Sequence, residues 1–115
     1  MTEPIEATGV DLVAATKRAS SNPRDAERLR DMAVRLIWWQ RPSTTLKNPA
    51  RLIAQAMAVG TWEDANFVTE VYGEDALRHI LASEPPGIFT ARSWSYWHAR
   101  LGYRRTPPLP ERVLV

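Results

Sequence analysis

Two groups of side chains in this sequence have chemistry suited to metal binding or acid–base catalysis: the histidines and one adjacent pair of carboxylates. His79 and His98 are nineteen residues apart, with no cysteine and no HExxH pattern to complete a zinc site. We expect His79 at a helix surface. Glu63 and Asp64 follow Thr61, and acidic residues are favoured there by helix capping and the helix dipole alone. These residues therefore predict neither a metal site nor a general acid–base pair.

Other catalytic and cofactor motifs are absent from the sequence as well. The five glycines are scattered, without the GxGxxG or P-loop spacing that holds a phosphate, and no GxSxG is present. The lack of cysteine excludes disulfides and thiolate chemistry. We therefore expect a protein that is not an enzyme and that uses no cofactor.

Length and composition are those of one small globular domain. The chain has 115 residues, of which 44% are hydrophobic and 24% charged, enough for a single modest core. No apolar run is long enough to span a bilayer, and the acidic beginning MTEPIEATGV is unlike a secretory signal. We expect a cytoplasmic protein with no membrane association.

Charge is distributed unevenly, although the net charge is only +2. Residues 1–60 carry +3, residues 61–86 carry −5 and residues 87–115 carry +4. An acidic middle between basic flanks argues against one continuous phosphate-binding face. The segment AQAMAVGTWEDANFVTE has helix-turn-helix spacing, but its second helix would present carboxylates to DNA phosphates. It predicts a helical hairpin that does not read DNA.

Helix-capping residues recur along the chain, whereas the alternation typical of strands is missing. Four helix starts are marked by caps at Asn22, Asn48, Thr61 and Thr90. The predicted helical segments cover about 22–40, 48–60, 61–73, 74–86 and 90–102, and VDLVAATKRAS adds a possible short helix in front. Short loops between them predict an all-α fold, a compact bundle of five to six short helices with a proline-rich C-terminal tail. We divide the chain into an N-terminal segment (1–21), a helical domain (22–102) and the tail (103–115).

The last predicted helix, TARSWSYWHARLG, has two different faces. We expect an apolar stripe in the core, with His98 packed against the ring four residues before it; the stripe consists of Trp94, Trp97 and Leu101. The second stripe is either a solvated face or a contact surface, because arginine and tyrosine are frequent at binding hot spots. It consists of Arg92, Tyr96 and Arg100, and Arg104 and Arg105 extend its basic character.

The string RLIWWQRP raises a packing problem. Adjacent side chains on a helix point about 100° apart, so one small core hardly accommodates both Trp38 and Trp39. A projection centred on Leu29 places Trp39 near the edge of the inward face and Trp38 on the opposite side. We expect Trp38 to be covered by the proline-rich tail, by a second copy of the chain or by a different protein, unless fraying of the helix near Pro42 turns it inward.

Four segments carry a resemblance to a known family: RLIWW, NPARLIAQAMAVGTWEDANFVTEVYGEDALRHIL, PPGIFTARSWSYWHARLG and PPLPER. Together they resemble small helical bacterial proteins over roughly residues 35–113. Members of that family are typically encoded beside nucleotidyltransferase toxins of the AbiEii type and are regarded as the antitoxin half. The resemblance implies a protein-binding module that binds and neutralises a nucleotidyltransferase toxin.

Candidate partner-binding residues follow from the resemblance and from the basic end of the last helix. They are Trp38, Trp62, Arg92, Tyr96, Arg100, Arg104, Arg105 and the PPLPER segment. Two other interpretations stay open. A nucleic-acid-binding domain would use the arginines and Tyr96, and a homodimer would place Trp38 at its seam. Trp62 has a structural alternative too, since it can simply stabilise the start of its helix.

Overall fold

The computed structural model describes residues 11–83 and 87–110. Predictions for residues 1–10, for the helix end at Pro85 and Pro86, and for the apolar end 113–115 lie outside these residues. Helices account for the secondary structure of the described ranges, where no strand occurs. They are α1 (Leu12–Ser20), α2 (Pro23–Leu36), α3 (Pro42–Lys47), α4 (Ala50–Val59), α5 (Trp62–Tyr72), α6 (Glu74–Ser83) and α7 (Ala91–Arg100). The all-α bundle is confirmed, and the described residues form seven helices where five to six were predicted.

Three of the four predicted caps are present. The Asn22 side chain accepts hydrogen bonds from two backbone N–H groups of α2, and Thr61 forms a capping box with Asp64. Thr90 accepts from the backbone N–H of Ser93 at the start of α7. The prediction for Asn48 is wrong, because Asn48 ends α3 and α4 begins without a side-chain cap.

The connection between α2 and α3 also differs from the prediction. Helix α2 ends at Leu36 rather than near Gln40, and Ile37 leaves the helical conformation with φ −130° and ψ 63°. Arg41 is extended, as expected before a proline. Pro42 then begins α3, because its fixed φ and missing N–H suit the first position of a helix. The proline that was expected to end α2 therefore begins α3 instead.

Helix α4 lies at the centre of the bundle and contacts α2, α3, α5, α6 and α7. It is the most apolar helix, and small residues such as Ala54 and Ala56 on its buried surface allow close approach of its neighbours. Large apolar side chains from the surrounding helices complete one core. The largest fully buried apolar side chains of the described residues, including two of α4 itself, are Trp97, Leu29, Met32, Ile37, Leu52, Ile53, Leu77 and Ile80.

The optional N-terminal helix α1 is present and packs against α2, α3 and α5. Its buried Thr16 is 2.7 Å, hydroxyl to hydroxyl, from Tyr72 at the end of α5. Burial raises the pKa of Tyr72, although the hydrogen bond between the Thr16 and Tyr72 hydroxyls opposes that shift. Helix α1 is therefore joined to the bundle by a polar contact as well as by apolar packing.

A close backbone approach at Gly60 shapes the turn between α4 and α5. A Cβ atom at this position would lie 2.5 Å from the Ala56 carbonyl oxygen and 3.0 Å from Cβ of Asp64. The backbone of Gly60 has ordinary dihedrals, φ −74° and ψ 173°, so space rather than conformation requires glycine here. The predicted helical hairpin is confirmed at this turn. None of the helices in the described ranges has the length and apolar character needed to cross a bilayer.

Candidate functional site

A surface groove of about 310 Å³ lies between the α4–α5 turn and α7. Its exposed lining includes Trp62, Arg92 and Tyr96, three of the residues predicted to bind a partner. Its base includes the buried side chains of Met57 and Trp97. The structure thus brings residues from two helices that are some thirty positions apart in sequence onto one surface, which we call the aromatic groove.

Arg100 links the aromatic side chains beside this groove. Its Nη1 donates to the Tyr96 hydroxyl at 3.2 Å, and its Nη2 donates to Oδ1 of Asn66 at 3.1 Å. The guanidinium carbon also lies 4.9 Å from the ring centroid of Trp97 and 5.4 Å from that of Trp62. Such cation–π contacts restrict the arginine and the rings that it faces. Arg100 therefore favours the observed orientations of Tyr96 and Trp62.

Trp62 and Tyr96 remain accessible despite these contacts. Trp62 is 62% exposed and Tyr96 is 40% exposed, and their ring centroids are 6.4 Å apart in an edge-to-face arrangement. Aromatic side chains are enriched at protein interfaces, so an exposed aromatic pair is a candidate contact surface. The contact with Tyr96 joins α5 to α7, so Trp62 does more than stabilise the start of its own helix.

The floor of the aromatic groove is part of the core. Trp97 is 1% exposed and its Nε1 donates to the Met57 carbonyl oxygen at 2.7 Å. This bond joins the middle of α7 to the last turn of α4. Trp94 and Leu101 are buried beside it, so the predicted apolar stripe of the last helix is confirmed.

The tail packs near Trp94, through Pro107 and Leu109. Trp94 Nε1 donates to the Pro107 carbonyl oxygen at 2.7 Å, and Leu109 is partly buried against the core. His98 is buried, with its ring 4.4 Å from that of Trp94 between centroids, which confirms the predicted packing against that ring. Tyr103 continues the aromatic row, 4.8 Å from His98. The tail up to residue 110 is thus anchored on the body of the protein.

Asp64 has a role that the sequence did not reveal. Its side chain is fully buried and accepts hydrogen bonds from Arg28 at 3.1 Å and from Arg35 at 2.9 and 3.1 Å. It also accepts from the backbone N–H of Thr61 at 3.0 Å. Burial alone would raise the pKa of Asp64, but the hydrogen bonds from Arg35, Thr61 and Arg28 outweigh it and hold this pKa well below its usual range.

The partners of Asp64 fit a structural role for the carboxylate. Arg35 has its pKa raised by hydrogen bonds to Asp64 and Asp31. A carboxylate with a depressed pKa and paired oxygens is a poor proton donor or acceptor near neutral pH. The cluster connects α2 to the first turn of α5, and it therefore positions Trp62, which opens that helix. A weak signal was available in the sequence, because Arg28 and Arg35 are seven residues apart and share one helix face.

The remaining predicted partner-binding residues lie away from the aromatic groove lining. Trp38 is 76% exposed and Trp39 is 52% exposed, in the turn after α2, with ring centroids 5.6 Å apart. The helical projection that placed Trp39 near the edge of the inward face does not apply, because the helix ends at Leu36. The tail residues in view contact Trp94 and leave Trp38 open. Arg104 and Arg105 are exposed after the end of α7.

Within residues 11–83 and 87–110, no group of three or more histidine or acidic side chains is placed to hold a metal ion. His79 is exposed on α6, as predicted. No family model, curated protein or solved structure matches this chain. The interpretation of the site therefore depends on its geometry.

Proposed function

We propose that this protein is a protein-binding module and that the aromatic groove is its contact surface. The observation that carries the proposal is the exposed pair Trp62 and Tyr96, held in place by Arg100. Aromatic side chains and arginine supply much of the energy at protein interfaces. Side chains already fixed in the free protein lose little conformational entropy on binding, which favours affinity.

The charge of the aromatic groove indicates the surface that it fits. Arg92 is exposed at the edge of the groove, and Arg100 adds a second positive charge beside the aromatic rings. A partner with an apolar or proline side chain next to a carboxylate would complement both features. The family resemblance supports a specific partner, a nucleotidyltransferase toxin encoded nearby. We propose that binding neutralises this toxin in the bacterial cytoplasm.

We expect a nucleotidyltransferase gene beside the gene for this protein, and the proposal is tested by co-expressing the two products. We expect the two proteins to elute together from a sizing column at micromolar concentration and moderate salt. Trp62→Ala is expected to weaken the complex about 30-fold, because truncation of an aromatic hot spot costs about 2 kcal/mol or more. The affinity is measured by calorimetry with purified components.

Trp39→Ala is the matched control, since it removes a tryptophan of similar exposure outside the aromatic groove. We expect it to leave the affinity within about twofold of the original. Loss of binding with Trp39→Ala but not with Trp62→Ala would place the contact at the Trp38 turn and contradict the groove. Separation of the two proteins on the column would contradict the toxin assignment. Binding to RNA that falls steeply with salt would favour the nucleic-acid alternative through Arg92, Arg104 and Arg105.

A further inference from the structure

A second groove, of about 600 Å³, lies between α1 and α3 and shares no lining residue with the aromatic groove. Lys17 from α1 and Lys47 from α3 both line it, and they are the only lysines in the sequence. The fold therefore places two lysines that are thirty residues apart in the lining of one groove. We call it the lysine groove.

The positive charge of the lysine groove is not balanced by an acidic side chain in its lining. No carboxylate is among its lining residues. Within residues 11–83 and 87–110, neither Lys17 nor Lys47 forms an ion pair, whereas Arg28, Arg35 and Arg78 all do. Two exposed lysines that line one groove without an ion pair attract an anion, and a concave shape concentrates their field.

The rest of the lining supplies hydroxyl groups and an apolar surface. Ser20 and Ser43 line the groove, and their hydroxyls make no hydrogen bond within the part of the chain in view. The Thr16 hydroxyl is hydrogen-bonded to the Leu12 carbonyl oxygen and to the Tyr72 hydroxyl, so Thr16 contributes to the lining without a free hydroxyl for a ligand. Val13, which is 43% exposed, and Leu46 provide apolar area. The lysine groove thus combines groups that can bind an anion with an apolar patch.

We infer that the lysine groove binds a small organic anion with one phosphate or carboxylate group on an apolar body. Ammonium groups act as compact charges with three donors each, which suits either anion without the planar match that arginine requires. The volume is within the range usual for small-molecule sites. The anionic group lies between Lys17 and Lys47, and the apolar body covers Val13 and Leu46. This site is independent of the proposed protein-binding function.

The test is a pair of titrations of the isotope-labelled full chain, one with phenyl phosphate and one with benzoate. Changes in the amide NMR chemical shifts report binding. We expect saturable shifts confined to residues 12–21 and 42–47 with at least one of the two probes; the stronger probe identifies the preferred anion. The double variant Lys17→Gln/Lys47→Gln is expected to bind about tenfold more weakly or worse, because it removes both charged hydrogen-bond donors.

Arg30→Gln/Arg51→Gln is the matched control, because it removes the same charge from two exposed positions outside the groove. It should leave the affinity within about twofold. Equal weakening by both double variants would show that only net charge matters and would overturn the inference. Inorganic phosphate binding as tightly as phenyl phosphate would overturn it too, since the apolar surface would then contribute nothing. Absence of saturable shifts with both probes would be equally decisive.

Discussion

Asp64→Asn is expected to lower the free energy of unfolding by about 2 to 3 kcal/mol, although asparagine has almost the same shape. The amide keeps an oxygen that can accept from the Thr61 N–H, so the cap survives. It removes the charge that Arg28 and Arg35 share, and it turns an N–H donor toward two guanidinium groups. The partial exposure of both arginines keeps the loss below that of a fully buried pair. Urea denaturation followed by circular dichroism measures it.

Asp31→Asn is the control for this prediction, because it breaks the exposed ion pair of Arg35 and leaves Asp64 in place. We expect a change of less than about 0.5 kcal/mol. If the two variants lost the same stability, the buried carboxylate would have no special role and Asp64 would act only as a helix cap.

The stabilisation from Asp64 is also expected to depend on pH. Its pKa in the folded protein is below that of an unfolded aspartate, about 3.9, so the unfolded state takes up the proton first. The stabilisation is therefore complete at neutral pH and is lost as the pH falls below about 4. Unfolding curves recorded from neutral to acidic pH should show the gap between the original protein and Asp64→Asn closing over that window. A gap of constant size would contradict the depressed pKa.

Trp97→Ala is expected to lower the free energy of unfolding by about 3 to 5 kcal/mol, the largest effect of a single side chain that we anticipate. The substitution leaves a cavity between α4 and α7 and removes the donor to the Met57 carbonyl oxygen. Trp38→Ala is the comparison, because that tryptophan is 76% exposed, and we expect it to change stability by less than about 0.5 kcal/mol. Thermal unfolding of both variants measures the difference.

Trp97→Phe keeps the prediction testable if the alanine variant does not fold. Phenylalanine retains much of the apolar volume but lacks the Nε1 donor, so we expect a loss of about 1 to 2 kcal/mol. A phenylalanine variant as stable as the original protein would show that the bond to Met57 contributes nothing.

The features that the sequence predicted well are those set by neighbouring residues. The caps at Asn22, Thr61 and Thr90 depend on side chains that reach a backbone N–H two or three positions away. The buried stripe of α7 depends on helical periodicity within one element. Pro42 shows the limit of such local rules, since a proline both disfavours the helical conformation of the residue before it and favours a helix start.

The features that sequence reasoning missed or left open depend on contacts between distant residues. Asp64 accepts hydrogen bonds from arginines that are 29 and 36 positions away in sequence. The residues around Thr61 contain no pattern that predicts these contacts. Trp97 reaches the Met57 carbonyl across 40 positions, so the floor of the aromatic groove has no local pattern. The lysine groove is similar, because Lys17 and Lys47 come together only after α1 packs on α3. Arg92 and Tyr96 of α7 lie beside Trp62 only because the bundle packs α7 against the turn between α4 and α5.

The anchor of the tail has a consequence for sequence divergence. Trp94 binds a main-chain oxygen at residue 107, and every amino acid has one. Replacement of Pro107 by another residue that keeps an extended conformation would leave the acceptor in place, whereas loss of the indole would release the segment. Distant homologues are therefore expected to retain this tryptophan, whereas the residue at the position of Pro107 is expected to vary. A sequence profile that requires the tail prolines would therefore miss such homologues.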